Sequence, residues 1–247
     1  MLLLARRGQQ LTAINVGKPG SDAGMAKQTG DYPGAARFVP GDDASLPELA
    51  EAACSCRGCD LYERATQTVF GRGPARAAVV LIGEQPGDAE DRAGEPFVGP
   101  AGKLLDRALE DAGISPRDTY TTNAVKHFRW KPAPQGGKRR IHQRPEAWQV
   151  RASWPWLAAE LSRLNPRVVV TLGATAGQAL FGSSFRVGGQ RGTRVPWCAP
   201  APAGQAGREV TVVPTVHPSA ILRADDRDAA YAGLVSDLRE AASCLRG

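Results

Sequence analysis

His127, His142 and His217 are the only imidazoles among 247 residues, and each stands beside residues able to do chemistry. Gly83-Glu84-Gln85-Pro86-Gly87 sets a carboxylate and an amide in a glycine-bracketed turn, suited to orienting a small polar ligand or a water. It is not a Walker loop, because no Gly-Lys-Ser/Thr follows, and its glycine spacing is wrong for a dinucleotide fingerprint. Asn123 precedes Lys126 and His127 by three and four residues, and His217 opens His-Pro-Ser219. Residues 136–142 read Gly-Gly-Lys-Arg-Arg-Ile-His. Two glycines before three cations and a histidine make a loop that can approach a phosphodiester closely. Arg129, Lys131 and Arg144 add to the local positive charge. Any single histidine reads most simply as a surface or core residue; three near one sheet edge argue for a site.

The elements that must position these groups are legible from periodicity. Short apolar runs at 77–82, 119–125, 167–172 and 209–216 read as buried strands. Helical patterns occupy 100–112, with Pro100 in the first turn and Gly113 as the stop, then 146–164, 174–181 and 227–245. Pro155 is expected to kink or split the second of these. Buried strands separated by helices predict a three-layer α/β/α domain with a central, mostly parallel four-stranded sheet. In such sheets ligands bind beyond the carboxyl ends of the strands, where Glu84, Gln85, Asn123 and His217 all fall. Residues 1–44 show no sustained period and are expected to form a disordered extension before a domain at 45–247.

The formal charge is +6, and 25 of the 31 basic residues are arginine, whose planar fork grips phosphate bidentately. An anionic partner follows from that balance. No apolar run approaches the ~20 residues of a spanning helix, and no signal-peptide pattern is visible. Five cysteines are too few, and odd in number, for a secreted disulfide framework. The expectation is a cytoplasmic protein, acting as a monomer and away from membranes.

Taken in order, Gly83-Glu84-Gln85-Pro86-Gly87, Pro96-Phe97-Val98-Gly99-Pro100-Ala101-Gly102, Thr122-Asn123-Ala124-Val125-Lys126 and His217-Pro218-Ser219 resemble the motifs of the uracil-DNA glycosylase superfamily. The chain is most similar to its iron–sulfur branch, family 4, and Lys138-Arg139-Arg140-Ile141-His142 resembles the loop of the X-type members. The resemblance spans about residues 56–245. It implies uracil-containing DNA as partner, single-stranded or with the base flipped out of the stack. It also implies roles. Gly83, Phe97 and Asn123 would bind uracil, Phe97 by stacking and Asn123 through an amide that is both donor and acceptor. His217 would contact uracil O2 as charge builds on the leaving base. Glu84 and Gln85 would be catalytic, with Gln85 the X-type residue at its position. Lys138, Arg139, Arg140 and Ser219 would contact DNA.

For His142 the resemblance implies more. Glycosidic cleavage leaves a cation-like sugar, electrophilic at C1′. The loop imidazole would capture it in place of water, oriented by Glu84, leaving the protein joined covalently to the abasic DNA as a single-turnover trap. The alternatives are a turnover family 4 enzyme that releases free uracil, and a non-catalytic nucleic-acid-binding module. The resemblance implies a [4Fe–4S] cluster as well, with Cys56, Cys59, His127 and Ser153 at the ligand positions. Ser153 stands where family 4 has its fourth cysteine, and a serine hydroxyl is a poor iron ligand. Three good ligands would leave a labile cluster; Cys54 is a possible stand-in and an incomplete zinc site the lesser reading.

Overall fold

The computed structural model describes residues 32–134 and 139–246. In chain order its elements are α1 (Leu46–Ala53), β1 (Val79–Gly83), α2 (Asp88–Ala93), α3 (Pro100–Ala112), β2 (Thr119–Asn123), β3 (Trp130–Pro132), β4 (Arg140–His142), α4 (Ala147–Leu164), β5 (Val168–Leu172), α5 (Ala174–Phe181), β6 (Val195–Ala199), β7 (Arg208–Thr215), α6 (Pro218–Ile221) and α7 (Arg227–Ser243). The main sheet runs β2-β1-β5-β7-β6. The first four of these strands, the ones periodicity identified, are parallel throughout. The fifth, β6, lies antiparallel to β7 on the edge. It escapes a sequence reading because it carries Pro196 and alternates buried with exposed residues, as a half-covered edge strand does.

One face of the sheet packs Val79, Leu81, Val168 and Val170 against Leu105 and Leu109 of α3 and Leu234 and Leu238 of α7. The other packs Val80, Ile82, Val169 and Val212 against Leu157 and Leu161 of α4 and Ala176 of α5. Each fully buried Leu or Val contributes about 1.5–3 kcal/mol, so the sheet is a rigid platform for whatever its carboxyl edge carries. Pro155 does not split α4, which runs unbroken. The carbonyl that loses its donor belongs to exposed Arg151, while Trp156, Leu157, Glu160 and Leu161 are buried on the opposite flank and hold the helix by packing. The packed body also begins earlier than residue 45. Ala35 is buried with Trp156 and Phe70, and the Gly34 N–H donates to the Gly58 carbonyl (3.0 Å). A Cβ on Gly58 would stand 2.6 Å from the Ala35 nitrogen, so the glycine between Cys56 and Cys59 is what admits this segment. Residues 1–31 lie outside the described residues.

Candidate functional site

The carboxyl ends of β1, β2, β5 and β7 bring four segments together. In register with Asn123 on β2, Gly83 closes β1. A Cβ on Gly83 would sit 2.3 Å from Asn123 Oδ1 and 2.7 Å from Phe97 Cζ, so only glycine lets that amide and that ring meet there. Asn123 is buried, and no other described residue hydrogen-bonds its side-chain amide. Phe97 has φ +58°, a left-handed conformation that costs a bulky residue about 1–3 kcal/mol. Glu90 maintains it. One carboxylate oxygen accepts from the Gly87 N–H (3.1 Å) and the other from the Gly99 N–H (2.8 Å), clipping the two glycine-rich loops together. The Phe97 ring then lies nearly parallel to His217, centroids 6.2 Å apart.

His217 caps α6. Its Nδ1 accepts from the Ser219 N–H (3.1 Å), with the Ser219 hydroxyl 2.8 Å away. A backbone N–H can only donate, so Nδ1 is bare and the neutral ring carries its proton on Nε2. Burial, reinforced by His142 and Arg223, pulls its pKa to about 4. Ser219, expected to contact DNA, is thus tied to His217.

His142 has the opposite tautomer. It stands at the end of the β3–β4 hairpin, paired with Trp130. The base of that hairpin is clamped by Gln85, which is buried. Gln85 Oε1 accepts from the Arg129 N–H (3.0 Å), and its Nε2 donates among the Gln143 carbonyl (3.0 Å), the Arg129 carbonyl (3.2 Å) and His142 Nε2 (2.9 Å). An amide nitrogen facing His142 Nε2 makes that ring nitrogen the acceptor and leaves the proton on Nδ1. Burial lowers the His142 pKa against the pull of Glu84, while Arg223 pushes the same way as burial. Glu84 Oε1 lies 3.6 Å from His142 Nε2, too far for a hydrogen bond. The other Glu84 oxygen accepts from the Thr175 hydroxyl, and Thr175 in turn accepts from Arg144 Nε (3.1 Å).

Three of these participants were not singled out in the sequence: Glu90, Thr175 and Arg223. Thr175 had a usable signal, since it lies in the first turn after a predicted strand end. Arg140 has internal partners. It was expected to grip DNA phosphate, but its guanidinium binds Asp88 and Asp91 and lies over the rings of Phe128 (5.3 Å) and Trp130 (5.5 Å). It anchors the hairpin to α2. Arg139 is exposed, and Lys138 lies outside the described residues.

His127 does not join the other histidines. It is buried, with Nε2 2.9 Å from the Thr68 hydroxyl, and lines a separate cavity of about 220 Å³ with Cys54 and Cys56. Its burial pulls its pKa to about 4. Cys59 packs instead beside Trp148, Val150 and Ala152, and burial pushes its thiol up to about 12. Ser153 is buried on α4. Among the described residues no three His, Cys, Asp or Glu side chains are grouped to hold a metal. With a serine hydroxyl at the fourth position and no grouping of three donors among the described residues, the side chains present do not fit a [4Fe–4S] cluster, which takes four converging soft donors.

With the geometry in place, comparison with known proteins is decisive for the family. The profile of the uracil DNA glycosylase superfamily matches residues 70–239. The chain belongs to that superfamily. It is 34% identical over 185 residues to a type-4 uracil-DNA glycosylase of Archaeoglobus fulgidus, covering 72% of this chain and 83% of the relative. Proteins of the same name from Thermotoga maritima and Sulfurisphaera tokodaii are 34% and 32% identical, with 71% and 72% of this chain and 82% and 76% of the relative covered. Among the described residues no helix is long and apolar enough to cross a membrane.

Proposed function

We propose that the protein is a uracil-DNA glycosylase that cleaves the N-glycosidic bond of uracil in DNA. One observation carries this reading: Gly83, Phe97, Asn123 and His217 converge at one sheet edge in a chain of this superfamily. A flipped base lying on Phe97 offers its polar edge to the Asn123 amide, which no other described residue hydrogen-bonds. Thymine's extra methyl and cytosine's inverted donor pattern make poorer partners for that pocket. Breaking the bond puts negative charge on the uracil carbonyls. His217, neutral and holding its proton on Nε2, donates to that charge without having to lose a proton first. Glu84, fixed by Thr175, supplies a carboxylate near the sugar cation and can orient a water for it. The type-4 relatives favour this course, in which water completes the reaction and free uracil and an abasic strand are released.

Capture by His142 is the second reading, favoured by the position of its Nε2, 2.9 Å from Gln85 and 3.6 Å from Glu84. A neutral imidazole with a bare Nε2 is a competent nucleophile, and its attack on C1′ would leave the ring cationic beside Glu84. Incubation with uracil-containing and thymine-containing oligonucleotides tests both. Uracil release with alkali-labile strands and no shifted band on a denaturing gel supports turnover. A heat- and detergent-stable shifted band supports capture. Neither from the folded protein would sink the glycosylase reading.

A further inference from the structure

Beneath Asn123 lies a polar network that the chemistry above does not use. Lys126 and Glu160 are both fully buried, 1% and 0% exposed. The Lys126 ammonium spends its three protons on Glu160 Oε2 (2.5 Å), the Thr122 hydroxyl (2.6 Å) and the Asn123 main-chain carbonyl (2.8 Å). Glu160 Oε1 accepts from the Gly71 N–H (3.1 Å), the Tyr120 hydroxyl (3.0 Å) and the Thr122 hydroxyl (2.9 Å). A buried ion pair is seldom a source of stability, since an apolar pair of similar volume does as well or better. What this pair does have is a fixed direction. Asn123 ends its strand, and the residues after it are held on one side by the backbone of Gly83 and Glu84, through Ala124 N–H (2.9 Å) and Val125 N–H (3.1 Å). Lys126 supplies the hold on the other side.

We propose that Lys126 and Glu160 are positioning residues that set the aim of Asn123 and so determine how tightly the pocket holds uracil. This rests on the assignment of Asn123 to the uracil edge. Misplacing a polar reader by about 1 Å costs on the order of 10²-fold. Lys126→Met with Glu160→Gln removes both charges while leaving an amide oxygen to accept from Gly71, Tyr120 and Thr122. The expected result is a folded protein whose inhibition by free uracil is weakened at least ~10-fold, with unchanged affinity for an oligonucleotide bearing a tetrahydrofuran abasic analogue. A loss of general structure would weaken both together. Thr122→Val, which keeps the ion pair and removes one of its anchors, should weaken uracil inhibition by a smaller factor, again without touching abasic-DNA affinity; it decides the matter if the double variant does not fold. Uracil inhibition at the wild-type level in folded Lys126→Met/Glu160→Gln, or in Thr122→Val where that is the variant that folds, would overturn the proposal. Asn123→Ala is the reference. If uracil inhibition survives Asn123→Ala, the reading of Asn123 fails and this proposal with it; if it is lost there but kept in the folded double variant, this proposal alone fails.

Discussion

Acid is a sharp probe of His217. The ring must stay neutral to accept from Ser219 at Nδ1 and donate from Nε2, and burial with His142 and Arg223 lowers its pKa from 6.5 to about 4. That drop corresponds to about 3 kcal/mol of preference for the neutral form. At pH 5.5 an ordinary histidine would be ~90% protonated, whereas this one would be ~3% protonated. Single-turnover release of uracil from a labelled oligonucleotide should therefore show no His217-dependent loss between pH 7.5 and 5.5, and a fall only as pH 4 is approached. Stability behaves differently. The unfolded chain takes up the proton near 6.5 and the folded one near 4, so stability is unaffected above about pH 6.5 and declines as pH falls through that window. The decline reaches about 3 kcal/mol below pH 4, measurable by urea denaturation at each pH. Rates are compared only where circular dichroism shows folded protein. His217→Gln identifies the inflection. A rate that halves near pH 6.5 in folded protein, with the inflection absent from His217→Gln, would refute the neutral donor.

Three further outcomes are expected. Replacing His142 by Ser should leave uracil release intact and eliminate any covalent band, because the smaller side chain leaves room for water at the base of the hairpin; loss of release as complete as loss of the band would put His142 in the excision step. Gly83→Ala drives a methyl to within 2.3 Å of Asn123 Oδ1 and 2.7 Å of Phe97, so uracil release should fall by ~10²-fold with DNA affinity retained, as read by steady-state kinetics and a filter-binding assay. Arg140→Ala strands the fully buried Asp91, which keeps only its bonds from the Thr66 N–H, and should cost about 3 kcal/mol in urea denaturation. The same change should leave the salt dependence of DNA binding as it was, whereas Arg139→Ala should reduce its slope by about one phosphate contact.

Arg140 shows why the fold was more legible than the site. Strands β1 and β5 announce themselves because a central strand buried at every position is apolar along nearly its whole length, and the Val-rich centre of β7 reads the same way. Edge strand β6 needs apolar residues only at alternate positions, and the three-residue strands of the hairpin need none, so neither leaves a usable pattern. Pro155 misleads in the other direction: local chemistry forbids it in a helix interior, and tertiary packing on Trp156 and Leu157 overrides the penalty. Charge is less legible still. Lys138, Arg139 and Arg140 are one basic run in sequence, yet Arg140 pairs internally with two aspartates that lie 49 and 52 residues away. Which cation is spent internally depends on partners that only the folded chain brings near.

The same principle governs the histidines, and it bears on the choice between release and capture. Three imidazoles read alike in sequence, but the fold gives each a different setting. His127 is withdrawn to the cysteine cavity, His217 carries its proton on Nε2, and His142 carries its own on Nδ1. In the proposed reaction a donor would face the departing base, and an acceptor would stand beside the sugar. Only the first is required for glycosylase action, because water can serve at the second. What distinguishes capture is whether Gln85 surrenders His142 Nε2 when DNA enters. Gln85 Nε2 already faces two carbonyls besides the imidazole, so its two protons can be satisfied without His142. The bond to His142 can thus be given up without leaving a Gln85 proton unpaired, and Gln85→Ala provides the discriminating case. If His142 captures the sugar, freeing it from the clamp should lower adduct yield through lost aim while uracil release persists; if His142 only flanks the site, Gln85→Ala should alter DNA affinity through the loosened hairpin and produce no change in the denaturing-gel pattern.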